Sequence, residues 1–329
     1  MRNRGSNEPA YESRLAGMRV SPDARRANAG AQRVCAGRCG IWALVMRGLM
    51  GSVMSVVAAC GSTDGPLLRA LSAGDAAAGD ALAQAGAEPS PSGDSMLIRP
   101  GMRLHYQLTG EPSVDAAAQV FVIDLFDAEP AQVATLRAGA AAGRIAIAYL
   151  SAGSFEPWRP DIAQFPDSVV GTRLGAYPDE KWLDVRAQAV RDVMQARLRL
   201  ARDKGFDGVL PGALGAYRSD SGFPLTQADQ LDYDRFLSSE ARALGLSPGL
   251  SGDFVLAREL AGAFDWAIAF GCLAADSCGA LQPLVQQHKA VFNLEVDGDL
   301  NELCARAEPL GITTILKRPT FDAWSRSCP

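Results

Sequence analysis

Carboxylates are the groups with which this chain could do chemistry. It has only two histidines, His105 and His288, far apart and in unlike settings. That is too few for a histidine-based zinc site or a Ser-His-Asp triad of the usual build. Six carboxylates follow or close short apolar runs of β type. They are Asp124 and Asp127 with Val120 to Leu125, Glu156 after Ile145 to Leu150, Asp184 within Trp182 to Val185, Asp253 after Leu246 to Leu250, and Glu295 ending Val291 to Glu295. A positioned general acid or base is worth about 10² to 10⁴ in rate, so a pair of these groups facing each other would suffice for acid–base catalysis. No GxGxxG follows an early strand, and the sequence asks for neither cofactor nor metal.

The elements that must position these groups alternate. Further β-type runs are Leu104 to Leu108, Asp207 to Leu210, Trp266 to Phe270 and Ile312 to Leu316. Between Arg186 and Lys204 the apolar residues Val190, Val193, Met194, Leu198 and Ala201 recur at helical spacing and form one buried stripe. Pro130 suits a first helical turn, and Thr226 with Asp229 approximates a capping box. Gly143, Gly205, Gly245 and Gly311 each stand between a helix and a strand, where a left-handed helix terminus is wanted. The pattern predicts an α/β chain whose residues 97–329 fold as a (β/α)₈ TIM barrel, with the carboxylates at the carboxyl ends of its strands. Local pattern does not show closure, and a doubly wound open sheet is the alternative.

Composition narrows the partners. The chain is 48 % hydrophobic, and its 32 Lys+Arg against 37 Asp+Glu give a net charge of −5, which offers nothing to nucleic acid. Residues 41–60 form an apolar run ending Val57-Ala58-Ala59-Cys60, the shape of an export signal. The run resembles a lipoprotein signal, which implies diacylation of Cys60 and a bacterial cell-envelope location. The chain would be lipid-anchored at the outer membrane or facing the periplasm, because Gly61 is not the aspartate that marks inner-membrane retention. A plain transmembrane anchor is the alternative. Residues 61–96 are rich in Ala, Gly, Ser, Pro and Asp and read as a flexible tether. Of the seven cysteines, Cys35 and Cys39 precede the signal, and Cys272, Cys278, Cys304 and Cys328 lie in the globular part. In an exported domain these four read as two disulfides, and in the cytosol as thiols.

Five motifs occur in order: Ile123 to Asp127; Tyr149 to Ser154 with Trp158 to Asp161; Lys181 to Arg186; Lys204 to Val209; and Gly222 to Thr226 with Ala228 to Gln230. Together they resemble glycoside hydrolase family 114 over nearly all of residues 104–328. The resemblance implies a TIM barrel and an endo-acting hydrolase of α-1,4-linked galactosamine polymers, with the cysteines paired Cys272–Cys278 and Cys304–Cys328. A cationic polysaccharide suits a carboxylate-lined cleft, with Asp127, Trp158, Asp184, Tyr217 and Asp253 as candidate sugar-binding residues and Tyr149 as a further aromatic surface, while Trp266, on a strand, reads as core.

One place departs from that pattern. The family typically reads Gly-Val-Glu-Pro-Asp-Asn-Val-Asp where this chain reads Gly208-Val-Leu-Pro-Gly-Ala-Leu-Gly215. Leu210 stands at the expected catalytic glutamate, and Gly212, Ala213 and Gly215 replace three polar residues. A Lys-Asn-Asp pattern is likewise Ser251-Gly252-Asp253, and the polar triplet expected before Cys272 is Ala269-Phe270-Gly271. The expectation is a glycan-binding pseudoenzyme. The alternative is an active glycosidase that has recruited other carboxylates, Glu156 with Asp124 or Glu295; a third reading is an apolar small-molecule pocket lined by Leu210, Leu214 and Phe270.

Overall fold

A computed structural model describes residues 97–329 apart from 115–116, 139–142 and 176. The expected signal with Cys60 and the tether at 61–96 lie outside the described residues. Eight strands run parallel: β1 (Leu104–Gln107), β2 (Val120–Asp124), β3 (Ile145–Ser151), β7 (Gly208–Gly212), β8 (Ser247–Ser251), β9 (Trp266–Phe270), β10 (Val291–Glu295) and β11 (Thr313–Lys317). They follow that order around the sheet, and β12 (Ser325–Ser327) adds to β11 antiparallel. The result is a nearly closed barrel. At its seam the peptide N–H groups of Leu108 and Thr109 donate to the carbonyl of Phe321, at 2.8 and 3.3 Å, and no ladder joins β1 to β12.

Alternation along each strand sorts the core into three layers. Leu104, Tyr106, Val120, Val122, Ile145, Ile147, Leu210, Ile268, Phe292, Leu294 and Ile315 fill the barrel interior around Trp266. Their neighbours of opposite parity pack outward under the helices, in one cluster beneath the first half of the barrel and a second beneath the other. The helices are α1 (Pro130–Ala138), α2 (Gln188–Asp203), α3 (Gln227–Ala243), α4 (Ala257–Leu260), α5 (Gln282–Val285) and α6 (Leu300–Ala307). The stripe expected on α2 is buried at all five positions. On α3, Thr226 and Asp229 form the capping box. Gly143, Gly205, Gly245 and Gly311 all have positive φ, as their places between helix and strand require.

Trp182 to Val185 is no barrel strand. It belongs to an antiparallel sheet of β4 (Ser154–Phe155), β5 (Val170–Leu174) and β6 (Tyr177–Leu183), inserted between β3 and α2. Both disulfides are formed, with Cα–Cα separations of 4.8 Å for Cys272–Cys278 and 5.5 Å for Cys304–Cys328. The second ties α6 to the residue following β12, beside the seam. Among the described residues no helix is long and apolar enough to cross a membrane.

Candidate active site at the barrel mouth

The carboxyl ends of the strands form the mouth, and strand parity decides what enters it. Asp124 shares the interior face of β2 with Val120 and Val122. Its carboxylate is buried and gripped by Arg159, which donates from both terminal nitrogens at 2.8 and 2.6 Å, and it also accepts from the backbone of Phe126 and Asp127. Burial alone would raise its pKa, but the Arg159 charge and these donors hold it below the usual carboxylate range. The same guanidinium donates from Nε to Glu156 at 2.6 Å. One cation therefore serves two buried carboxylates. Arg159 also lies 4.9 Å from the Phe126 ring centroid, whose other contact is Arg197 at 5.1 Å, and the Lys204 ammonium binds the carbonyls of Leu125, Phe126 and Ala128. The turn behind Asp124 is fixed from two sides.

The small sheet brings a further carboxylate to this place. β4 pairs with β6 so that Ser154 faces Trp182 and Phe155 faces Lys181. Glu156 follows β4 directly, and Glu180 stands next to Lys181 on β6. Glu180 is 5 % exposed and accepts from the Ser154 hydroxyl at 2.8 Å. Both glutamates act on Tyr149, whose phenol is pushed up by burial and then by the charges of Glu156 and Glu180. Sequence reasoning missed Glu180 because the strand was begun too late. Extending Trp182 to Val185 by two residues would have placed Glu180 on the face of Trp182.

Other candidates go elsewhere. Glu295 ends β10 on the face of Val291 and Asn293, opposite to the interior residues Phe292 and Leu294. There it accepts from the Asn293 amide and from the peptide N–H groups of Leu273 and Ala274, so it braces the loop after β9 and does not join Asp124 and Glu156. Burial raises its pKa against those donors. Asp184 is taken by Arg186, with bonds of 2.9 and 2.8 Å, in the loop leading to α2. Asp127 is exposed after β2, and Trp158 is half-buried next to Arg159. Tyr217 and Asp253 do come together: burial and then the Asp253 charge push the Tyr217 phenol up, and Asp253 lies 3.3 Å from Arg218. His105 alternates with Leu104 and Tyr106, faces outward and bonds Gln107; His288 is exposed in the turn after α5, at the opposite end of the barrel. Among the described residues no three His, Cys, Asp or Glu side chains cluster as a metal would need.

The end of β7 is apolar. Leu210 is fully buried on the interior face, and a Cβ built on Gly212 would stand 2.6 Å from the Tyr149 hydroxyl, so the tyrosine ring fills the space that a side chain at 212 would take. Beside it Ala213 holds φ at +56°, a left-handed conformation that asparagine adopts more readily than alanine. That backbone suits the asparagine of the family pattern better than the residue it carries.

A family model described as glycoside-hydrolase family GH114 matches residues 86–329, and the chain belongs to that family. The chain is similar to Ega3 of Aspergillus fumigatus, whose structure was solved in complex with galactosamine. The two share 30 % identity over 73 % of this chain and all of that one, with a TM-score of 0.66. The glycoside hydrolase domain of PelA from Pseudomonas aeruginosa shares the fold at 19 % identity and a TM-score of 0.53, over 68 % of this chain and 97 % of that one. No curated protein matches the chain.

Proposed function

We propose that this barrel binds a galactosamine-containing polysaccharide at its mouth and has lost the hydrolytic step of its family. The observation that carries the reading is the β7 end, where Leu210 offers no proton and is sealed from water. Asp124 and Glu156 do not replace it freely, since both are engaged by Arg159. Beside them the half-buried Tyr149 and Tyr177 offer aromatic rings, whose faces attract the ammonium groups of such sugars. Similarity to Ega3, solved with galactosamine, supports the choice of sugar. Incubation with partially deacetylated galactosaminogalactan should give binding by calorimetry and no new reducing ends. Clear turnover that disappears in Glu156→Gln overturns the reading.

The shared effect of Glu156 and Glu180 on Tyr149 favours a second reading, a glycosidase run by these two glutamates. A retaining mechanism needs two carboxyl groups about 5 to 5.5 Å apart. Turnover lost equally in Glu156→Gln and Glu180→Gln would select it. Anchoring through a diacylated Cys60 at the cell envelope belongs to the same proposal: a palmitate-labelled product beginning at Cys60 is expected, and an unlabelled one retaining earlier residues refutes it.

A further inference from the structure

Helix α2 grips the mouth at two points. Arg197 lies in its buried stripe with Val193, Met194 and Leu198 and is 1 % exposed. Its Nε and one terminal nitrogen donate to the two carboxylate oxygens of Asp161, at 2.8 and 2.9 Å, and the other terminal nitrogen donates to the Ser151 carbonyl at 2.6 Å. Ser151 ends β3, and Asp161 stands just beyond Arg159 and Pro160. Two helical turns further on, Lys204 caps α2 and binds the carbonyls of the turn after Asp124. The chain between Arg159 and Asp161 has little freedom. Pro160 fixes the backbone there, and the carbonyls of Glu156, Arg159 and Asp161 accept from the peptide N–H groups of Arg159, Ile162 and Gln164, a run of closed turns. The Phe126 ring fills the gap between the two guanidiniums, 4.9 Å from Arg159 and 5.1 Å from Arg197. A shift of Asp161 therefore passes on to Arg159. An apolar residue in the stripe would stabilise the packing of α2 as well as a buried ion pair does, so what the pair adds is geometry.

We propose that Arg197 and Asp161 are positioning residues for the mouth, setting through Pro160 the approach from which Arg159 meets Asp124 and Glu156. On the sugar-binding reading, on which this rests, the pair keeps a negative charge ready for an ammonium-bearing sugar. The charged groups around Asp124 are Arg159 and Glu156 on this loop, Asp127 on its own turn and Lys204 on α2. Of these Arg159 alone binds the Asp124 carboxylate from two nitrogens. With its approach lost, Asp124 gives up part of the stabilisation of its ionised form.

Carbon-13 carboxyl spectra of the full chain, taken through an acid titration, follow Asp124 directly. In Asp161→Asn, which keeps the shape of the residue and removes its charge, Asp124 should titrate higher than in the parent. A merely electrostatic link gives the opposite sign, because removal of a neighbouring negative charge favours the ionised form. A fall, or no shift, overturns the proposal. Arg197→Lys decides the matter if the first variant folds poorly. It keeps the charge but not the planar fork that reaches Asp161 and Ser151 together, so Asp124 should again rise, and an unmoved Asp124 overturns the proposal. Calorimetry with galactosamine adds the consequence: on acidification, binding should be halved at a higher pH in both variants than in the parent. A parent that binds no galactosamine refutes the sugar-binding reading, while the Asp124 comparison still decides the role of the pair.

Discussion

Strands β2 and β10 both end in a buried carboxylate at the same rim of the barrel, and the two carboxylates serve different ends. Asp124 falls on the interior parity of its strand and enters the mouth, where Arg159 holds it in the ionised form. Glu295 falls on the outer parity and becomes a brace for backbone N–H groups beneath the helices. A place at the carboxyl end of a barrel strand is therefore not enough to make a residue part of a site. The side chain must also fall on the inner face of the pleat.

The contrast can be broken from the inner side first. Replacing Arg159 with Met strands two buried carboxylates, which should cost about 3 to 5 kcal/mol at pH 7, read as a drop in the urea midpoint. Because the folded pKa of Asp124 is depressed, its contribution is present above the unfolded value of about 3.9 and is lost as pH falls through the folded one. The gap between Arg159→Met and the parent should therefore narrow below pH 4. A gap unchanged at pH 3 would mean that the arginine acts through packing against Phe126 alone.

On the outer side, removal of the Cys304–Cys328 link, which closes a separation of 24 residues, should cost about 3 kcal/mol. It should loosen the seam without altering sugar binding. Glu295→Ala leaves peptide donors unpaired, for about 1 to 3 kcal/mol, and galactosamine affinity should again be unchanged; weakened affinity would put Glu295 back in the site. The smallest effect is expected at the β7 end, where Ala213→Gly should stabilise the protein by about 1 kcal/mol through relief of the left-handed alanine. Thermal melting would read that gain.

The barrel was legible because its punctuation is local. Glycines after helices, a capping box and one apolar stripe each follow from short-range rules, and all appear where the sequence places them. The site was less legible because its members meet through long-range register. Glu180 reaches the mouth on an inserted sheet that pairs with β4, and no local pattern announces that pairing. Glu295 was offered as a possible partner of Glu156, and strand parity, counted from Phe292 and Leu294, sets it on the outer face of β10. Arg197 carried a signal that went unread: a cation within a stripe otherwise formed by Val190, Val193, Met194, Leu198 and Ala201.

The ring of Tyr149 lying over Gly212 bears on the history of this mouth. An aspartate cannot return at 212 until the tyrosine swings away, and a glutamate at 210 would enter a space now closed to water. On the proposed loss of hydrolysis, each reversal taken singly would weaken the fold before it restored a catalytic group, and the packing would work as a ratchet that only several changes arriving together could undo.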